Sequence, residues 1–308
     1  MIKTLARSIL PSSLRMAIYE ARQRPWKRDI SQWCYDWLPD KYVHSAQFKA
    51  HFGRPLNWEA PTTFNEKIHW LSLNHQLPIM TQCADKYSVR EFVTQRGCGH
   101  ILNDLYGVWD DPAYIDFTTL PSSFVLKVNH GSGQNLICKE KASFNVGAAR
   151  QKLAQWMKRS EYWVSREWAY KDITPRIICE RLLKDEHDNV PTDYKFFCFN
   201  GEPMMIQVIT DRFTEHKRDL FDIHWNVLPF ILSKPSSGQV IPKPSALVLM
   251  IETAKALSHG FPFVRVDLYA IGTAVTFGEM TWYPEGGLAR FTPDDYDTRY
   301  GEMIVLPR

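Results

Sequence analysis

The segment Phe124-Val-Leu-Lys-Val-Asn-His-Gly-Ser-Gly-Gln-Asn135 carries the clearest structural signal in the chain. Its first five residues form a short apolar run that is typical of a β-strand, and the polar, glycine-containing residues 129–135 predict a turn. Lys127 therefore ends a strand directly before a glycine-rich turn, where its ammonium and the backbone N–H groups of the turn could converge on phosphate oxygens. Taken alone, a lysine at the end of a strand is more often an exposed, solubilising residue.

Helices are predicted ahead of this strand. Thr63-Phe-Asn-Glu66 has capping-box spacing and predicts a helix that continues to about Leu73. Asp85 is a candidate N-cap for a helix that ends before Gly97, which would place Lys86 in its first turn. The helix dipole disfavours a cation there, which suggests that Lys86 is held for a ligand, although a solvated surface lysine is the commoner explanation.

The second half of the chain is predicted to form two hairpins and a helix. One hairpin turns at Asn200-Gly201, which is a strong two-residue signal, and the other at Ile271-Gly272. The strands concerned are residues 192–199, 203–210, 264–269 and 274–279, with a further strand at 176–183 and helices at 145–158 and 245–258. Consecutive hairpins mixed with helices indicate an α+β fold and not a doubly wound parallel sheet.

The last predicted hairpin carries a charged pattern. Arg265 and Asp267 alternate on one strand, so both side chains point to the same face. Glu279 and Thr281 alternate on the next strand, and a two-residue turn would bring Asp267 and Glu279 close together. Two carboxylates near an arginine fit Mg²⁺ ions that bridge nucleotide phosphates. A cross-strand ion pair on a half-exposed hairpin is the alternative that this spacing leaves open.

Composition narrows the classes of protein. With 308 residues, of which 44% are hydrophobic and 23% charged, the chain has the composition of a soluble globular protein of one large domain or two to three lobes. The net charge of +3 argues against a dedicated nucleic-acid binder. No apolar run approaches the ~20 residues needed to cross a bilayer. The buried-looking Cys138, Cys179 and Cys198 suit a reducing compartment, so we expect a cytoplasmic protein.

The first 60 residues predict a mostly helical extension. Residues 1–28 carry seven basic side chains against the single acidic residue Glu20, so a peripheral contact with the inner face of a membrane is one expectation. A helix that packs on the main body and is broken by Pro11 is the commoner alternative. Several familiar motifs are absent from the sequence: GxxxxGK[ST], GxSxG, HExxH and the kinase catalytic loop.

The order of these residues resembles that of ATP-grasp enzymes. Ala84-Asp-Lys86 resembles their first ATP-contacting lysine, and Lys127 with the following His130-Gly-Ser-Gly-Gln134 resembles their second lysine and mobile glycine-rich lid. Glu180-Arg-Leu-Leu183 resembles the hinge that meets the adenine. Arg265-Val-Asp267 and Gly278-Glu-Met280 resemble the arginine and metal-ligand ending of the D-alanine ligase branch.

More narrowly, residues 60–308 resemble the TupA-like ATP-grasp proteins of bacterial polysaccharide clusters, whose name-giving member is linked to teichuronopeptide synthesis. The strings that carry this resemblance are Phe64-Asn-Glu-Lys67, Cys83-Ala-Asp-Lys86, Lys127-Val-Asn-His-Gly-Ser-Gly133, Asp193-Tyr-Lys195 and Gly278-Glu-Met-Thr-Trp-Tyr-Pro284. The resemblance implies an ATP-grasp fold with a mobile glycine-loop lid lobe. We expect boundaries at 1–60 (helical extension), 61–119 (N-terminal lobe), 120–183 (lid lobe) and 184–308 (metal and substrate lobe).

The resemblance also implies roles for individual residues. Residues that would bind ATP are Lys86, Lys127, His130, Gly131, Ser132, Gly133, Glu180, Leu182 and Lys195, with Lys195 facing the γ-phosphate. Mg²⁺ would be held by Asp267, Glu279 and Thr281, and Arg265 would stabilise charge on a tetrahedral intermediate. Thr281 departs from the family pattern, which usually has asparagine at this position. A threonine hydroxyl is a weaker Mg²⁺ ligand than an asparagine side chain, so the resemblance leaves open whether one or two Mg²⁺ ions bind.

The implied function is ATP-dependent ligation of a carboxylate to an amine through an acyl phosphate. We expect an amino acid amine to be joined to the carboxyl of a uronic acid, in a nucleotide sugar or a glycan, during synthesis of a bacterial surface polysaccharide. Trp156, Tyr162, Trp163, Trp168 and Tyr170 could stack on a sugar or form lid core. A kinase, a glycosyltransferase and a membrane-docked scaffold are alternatives. The acidic pairs Asp110-Asp111 and Asp294-Asp295 suit helix caps better than a glycosyltransferase metal site.

Overall fold

The computed structural model describes residues 37–210 and 217–307. Residues 1–28, with their predicted membrane contact, and Cys34 lie outside the described residues. Inside them, the five cysteines are free and buried, as predicted for Cys138, Cys179 and Cys198. No helix in the two described segments is long and apolar enough to cross a membrane.

Four helices open the described chain: α1 (Asp40–Phe52), α2 (Phe64–Asn74), α3 (Pro78–Ala84) and α4 (Val89–Gln95). The helical extension is therefore confirmed for residues 40–52. The capping box of α2 is also confirmed, because the Thr63 side chain accepts from the Glu66 N–H while Glu66 accepts from the Thr63 N–H. The backbone N–H groups of Thr63 and Glu66 thus both find acceptors within the first turn of the helix. This is why the sequence pattern was sufficient to predict where α2 begins.

The helix predicted from Asp85 to before Gly97 is present, but its predicted start is wrong. Asp85 ends α3, and its carboxylate accepts hydrogen bonds from the Tyr87 N–H and the Ser88 hydroxyl, both at 2.8 Å. These bonds hold residues 85–88 in a turn, and α4 begins only at Val89. Lys86 therefore lies in a turn and not in a helix, so the argument from the helix dipole does not apply to it.

A four-stranded antiparallel sheet forms the smaller lobe, here called the lid sheet. Its strands are β1 (Leu105–Trp109), β2 (Phe124–Val128), β3 (Asn135–Cys138) and β4 (Ile177–Glu180), in the order β1-β4-β2-β3. The predicted strand at 124–128 and turn at 129–135 are confirmed, whereas β4 ends three residues earlier than predicted. Helices α5 (Val146–Met157) and α6 (Glu161–Ser165) follow β3. Because β1 pairs with β4, the lid sheet begins before residue 120, which we predicted as the lobe boundary.

A five-stranded antiparallel sheet forms the larger lobe. Its order is β10-β9-β5-β6-β7, and its strands are β5 (Asp193–Phe199), β6 (Glu202–Thr210), β7 (Lys217–Phe221), β9 (Phe263–Ile271) and β10 (Ala274–Thr281). Helix α7 (Leu247–Ser258) packs on β5, β6 and β9. The remaining strands are β8 (Ile231–Leu232) and β11 (Phe291–Thr292), and the last α-helix is α8 (Asp295–Glu302).

Both predicted hairpins are present. Asn200 and Gly201 have φ of 50° and 85°, the positive values that a two-residue turn of this kind requires. The second hairpin turns one residue later than predicted, because Ile271 pairs with Ala274. Strand alternation places Cys198 against α7, where its Sγ lies 3.9 Å from the Ala254 carbonyl. The neighbouring positions 195 and 197 therefore face the other side of the sheet.

Replacing Thr63 by Ala tests the capping box. We expect the free energy of unfolding to fall by about 1–2 kcal/mol, because the Glu66 N–H loses its acceptor at a buried helix end. Urea denaturation measures this change. Thr298→Ala on the exposed face of α8 is the matched control and should change the free energy by only a few tenths of a kcal/mol. Equal stability of the two variants would contradict the assignment.

Candidate functional site

Charged side chains form a row across three adjacent strands of the larger sheet. Glu279 on β10 lies opposite Asp267 on β9, and Asp267 lies opposite Lys195 on β5. The register shifts at a β-bulge between Phe277 and Glu279. A Cβ added to Gly278 in this bulge would lie 2.8 Å from the Asp267 carbonyl oxygen, so the close backbone approach requires glycine. The predicted proximity of Asp267 and Glu279 is confirmed.

Asp267 is only 2% exposed and is neutralised by two cations. The Arg265 guanidinium donates to both carboxylate oxygens, at 2.7 Å from Nε and 2.8 Å from Nη2. The Lys195 ammonium donates to Asp267 and also lies 2.9 Å from Asp193 Oδ2. A buried carboxylate without such partners would be strongly destabilising. The centre of the sheet therefore holds a compact cluster of two carboxylates and two cations.

Glu279 lies at the open edge of this cluster. Its carboxylate is 3.6 Å from Lys86 Nζ and 3.4 Å from Arg265 Nη2. Burial alone would raise the pKa of Glu279, but Lys86, Lys195, Arg265 and Lys127 together lower the pKa to about 2. Thr281 Oγ1 also accepts from Arg265 Nη2, at 3.2 Å. The Glu279 carboxyl is therefore ionised throughout the physiological pH range.

A second ion cluster lies on the lid sheet. Lys127 Nζ is 2.7 Å from Glu180 Oε2, and Arg90 Nη1 is 3.4 Å from Glu180 Oε1. Arg90 also donates to the Asn103 carbonyl at 2.8 Å. The sequence analysis missed Arg90, although its position four residues after Lys86 could have indicated it. Glu180 thus contacts two cations at the end of β4.

Hydrogen bonds join the turn that carries Lys86 to the glycine-rich turn. Lys86 donates through Nζ to the Gly131 carbonyl at 2.7 Å and through its backbone N–H to the Asn129 carbonyl at 3.2 Å. The Asn129 side chain is fully buried and donates to Asp85 Oδ1 at 2.8 Å and to the Thr174 carbonyl at 3.0 Å. The two turns therefore approach the cleft as one hydrogen-bonded unit.

His130 points away from the cleft and into the lid lobe. Its Nε2 lies 3.0 Å from the Arg159 carbonyl oxygen, and its Nδ1 lies 3.2 Å from Asn129 Oδ1. Burial lowers the pKa of this imidazole, which favours the neutral ring. Ser132 and Gly133, in contrast, line the cleft between the two sheets. Within the glycine-rich turn, His130 therefore faces the lid interior, whereas Ser132 and Gly133 face the cleft.

One cleft between the lid sheet and the larger sheet gathers most of the predicted residues: Lys86, Lys127, Ser132, Gly133, Glu180, Lys195, Arg265, Asp267 and Glu279. Arg90, Asn135, Ile209 and Arg218 line the same cleft but were not predicted, because apart from Arg90 no local pattern marks them. Leu182 lines an adjoining pocket. Leu183 lines both this pocket and the cleft. The cleft therefore runs from the end of β4 to the ion cluster on β9.

A second pocket opens on the other side of the ion cluster. It shares Ser132, Arg265 and Glu279 with the cleft, and Thr281 lines only this pocket. Its other lining residues are Gln47, Glu161, Val164, Ser165, Glu167, Tyr170, Tyr283, Glu285, Gly286 and Leu288. The sequence analysis missed Gln47, Glu161 and Glu167, since nothing in the sequence connects these distant positions.

The aromatic residues considered for sugar stacking have different surroundings. Trp156 packs against the lid core, whereas Trp168 and Tyr170 pack against the core of the larger lobe. Trp163 lies edge-on to Tyr162, with their ring centroids 4.9 Å apart. Of these five aromatic residues, Tyr170 alone lines the second pocket. The alternative prediction of lid core is therefore confirmed for Trp156, whereas Trp168 and Tyr170 contribute to the core of the larger lobe.

Glu279→Gln tests the electrostatics of the cluster. Folding lowers the pKa of Glu279 from 4.5 to about 2, so the ionised carboxyl stabilises the fold above pH ~4.5, and this contribution disappears as the pH falls toward 2. Solvent screens its 35% exposed side chain. We therefore expect the variant to lose roughly 1–2 kcal/mol of unfolding free energy at pH 7 and much less at pH 3.

Urea denaturation at the two pH values, without nucleotide or metal, measures this difference. Glu252→Gln, on the exposed side of α7, is the matched control and should leave the pH dependence unchanged. The same loss at both pH values for Glu279→Gln would overturn the electrostatic account.

Comparison with known proteins places this site in a family. The family model described as TupA-like ATPgrasp matches residues 66–305. No curated protein matches the chain. Among solved structures, the chain is similar to D-alanine–D-alanine ligase from Bacillus anthracis complexed with ATP, at 14% identity over 65% of this chain and 53% of that chain, with a TM-score of 0.37.

It is also similar to L-amino acid ligase from Bacillus licheniformis, at 14% identity over 73% of this chain and 50% of that chain, with a TM-score of 0.44. The chain spans about half the length of these two structures. The assignment rests on the family model, which covers most of the chain and includes both the lid sheet and the ion cluster. The chain belongs to the TupA-like ATP-grasp family.

Proposed function

We propose that this protein is an ADP-forming carboxylate–amine ligase that uses ATP and Mg²⁺ and proceeds through an acyl phosphate. The observation that carries the proposal is one cleft in which Lys86, Lys127, Lys195 and Arg265 surround Asp267 and Glu279, next to a second pocket. Four cations in a narrow cleft suit a polyphosphate. The second pocket, which shares Arg265 and Glu279 with the cleft, provides space for an acceptor beside the terminal phosphate.

The base of the nucleotide would lie at the other end of the cleft. Leu183 lies between the cleft and the adjoining pocket, which Leu182 also lines. Ile209 lines both spaces too, so an apolar surface is available for the faces of an adenine ring. Lys127 and Glu180 lie between this end and the ion cluster, in agreement with their proposed contacts to ATP.

Asp267 and Glu279 fit a Mg²⁺ ion that is bound together with phosphate. Among the residues of the two described segments, no group of three or more His, Cys, Asp or Glu side chains could hold a metal by itself. Nucleotide-bound Mg²⁺ usually takes only one or two carboxylates, because phosphates and waters complete its coordination. Both carboxylates now contact Arg265, so binding the ion would exchange a basic partner for Mg²⁺. The Thr281 hydroxyl is a weaker, third candidate ligand.

The protein's own residues would contribute mainly positioning and positive charge. An oxygen of the substrate carboxylate attacks the γ-phosphorus and ADP leaves. The amine nitrogen then attacks the acyl carbon, and inorganic phosphate leaves as the amide forms. Burial would lower the pKa of Arg265, but Asp267 and Glu279 raise it, so the guanidinium stays charged and can stabilise the negative charge that develops at the acyl carbon.

We further propose that the carboxylate belongs to a uronic acid, in a nucleotide sugar or a glycan, and that the product is part of a bacterial surface polysaccharide. This finer assignment is supported by the resemblance of the Gly278-to-Pro284 string to TupA-like proteins. A kinase of the same fold would share the phosphate contacts and differ only in what fills the second pocket.

The experiment that tests the ligase is ADP release from Mg·ATP with pooled amino acids and a panel of UDP-uronic acids, with products identified by mass spectrometry. We expect ADP and free phosphate only when both substrates are present, together with a product of amide mass. A phosphorylated acceptor would establish the kinase instead. Sugar transfer without ATP consumption would establish a glycosyltransferase.

Lys127→Met tests the phosphate contacts. Loss of one charge-assisted contact should weaken ATP binding roughly 10–100-fold, as measured with a fluorescent ATP analogue. Lys255→Met is the matched control, since Lys255 pairs with Glu202 on the exposed surface and should not affect nucleotide binding. Unchanged affinity in a folded Lys127→Met protein would remove Lys127 from the nucleotide site.

A further inference from the structure

The second pocket has an acidic lining. Glu161, Glu167, Glu279 and Glu285 contribute to its walls, and Arg265 is the only basic side chain among its lining residues in the described chain. The pocket adjoins the cluster on β9 and β10, so a group bound there would lie next to the proposed site of acyl transfer. The charge of the pocket lining therefore affects which co-substrate can bind there.

Two of these carboxylates lack a basic partner. Glu279 contacts Lys86 and Arg265, and Glu285 forms an ion pair with Arg218. Glu161 and Glu167, in contrast, form no ion pair with any basic side chain of residues 37–210 and 217–307, although both are partly buried. Burial, with a contribution from Glu161, raises the pKa of Glu167 to about 8. The Glu167 carboxyl is therefore mostly protonated at pH 7, and a cation bound beside Glu161 and Glu167 would favour its ionised form.

An independent observation also indicates a ligand in this pocket. Tyr283 lines the pocket and is 2% exposed, and its hydroxyl lies near the Ser72 hydroxyl, yet neither hydroxyl forms a hydrogen bond of normal geometry with a described residue. Buried hydroxyls are nearly always hydrogen-bonded, because desolvation without a partner costs free energy. A polar ligand group in the pocket would supply the missing partner.

The acidic wall is fixed in place by the N-terminal helix. Asp40 on α1 accepts from the Tyr162 hydroxyl at 2.9 Å and pairs with Arg166 at 2.9 Å, which anchors the segment that carries Glu161 and Glu167. Arg166 is 2% exposed, so this anchor is buried. Helix α1, which also contributes Gln47 to the pocket, precedes the residues that match the family model.

From these observations we infer that the second pocket binds the amine co-substrate as a cation, with Glu161 and Glu167 as its subsite, and that it selects amines with an additional positive charge, such as a basic amino acid or a diamine. The inference rests on the proposed ligase function. An acidic amino acid would instead place a further negative charge beside Glu161 and Glu167, which disfavours the ionised form of Glu167 and supplies it with no cationic partner. In the reaction, the C–N bond forms as the C–O bond to phosphate breaks, and the amine loses its proton to solvent.

Binding of three probes to the full chain tests this inference: L-lysine, 1,4-diaminobutane and L-glutamate, titrated calorimetrically with Mg·ADP present. We expect L-lysine and 1,4-diaminobutane to bind at least about tenfold more tightly than L-glutamate, as one charge-assisted contact would provide. Equal or tighter binding of L-glutamate overturns the inference without the need for any variant.

Glu161→Gln/Glu167→Gln adds a test of location. This double variant should weaken 1,4-diaminobutane binding by roughly 10–100-fold, whereas Glu252→Gln should not change it. Unchanged binding by the folded double variant would overturn the assignment of the subsite. Binding of a fluorescent ATP analogue to the same preparation separates the two proposals. Nucleotide binding without amine binding refutes this inference alone, and amine binding without nucleotide binding refutes the ligase.

Discussion

The carboxylate of Asp267 is buried within the five-stranded sheet, and cationic side chains from two strands of the larger lobe neutralise it. Arg265 reaches the carboxylate along the same strand, and Lys195 reaches it from the neighbouring strand. The contact with Lys195 requires one register between β5 and β9, because a shift by one residue would turn every side chain to the opposite face. The bulge at Gly278 then brings Glu279 to the same cluster from β10. Strand pairing and charge compensation therefore stabilise the same arrangement.

A second constraint links this sheet to the lid. Lys86 contacts Glu279 on the larger sheet and the Gly131 carbonyl on the glycine-rich turn, so one side chain connects both walls of the cleft. Buried Asn129 holds the two turns together through Asp85. The cleft is thus built from hydrogen bonds between the two turns on one side and from ion pairs on the other. A bound polyphosphate would enter between groups that are already positively charged, which reduces the rearrangement needed for binding.

The second pocket depends on parts of the chain that are far apart in sequence. Glu161 and Glu167 follow the lid helix α5, Gln47 comes from α1, and Glu285 and Gly286 follow β10. Glu285 and Gly286 have φ of 54° and 64°, a left-handed conformation that turns this loop beneath the ion cluster. Helix α1, which contributes Gln47 to the pocket, docks on the lid segment through Asp40 and Arg166. This contact connects the extension to the proposed choice of co-substrate.

By itself, the sequence determined the elements whose stabilising contacts are local. The Thr63 capping box, the Asn200-Gly201 hairpin and the alternation of Arg265 with Asp267 all depend on residues within a few positions of one another. The prediction that Lys86 lies in a helix was wrong, because the local sequence pattern around Asp85 is the same whether Asp85 caps a turn or a helix. Only the tertiary structure decided that β1 joins the lid sheet, that Arg90 pairs with Glu180 and that Glu161 and Glu167 share a pocket with Arg265. These contacts join residues that are far apart in the chain, and their energies depend on burial and distance, which spacing along the sequence does not specify.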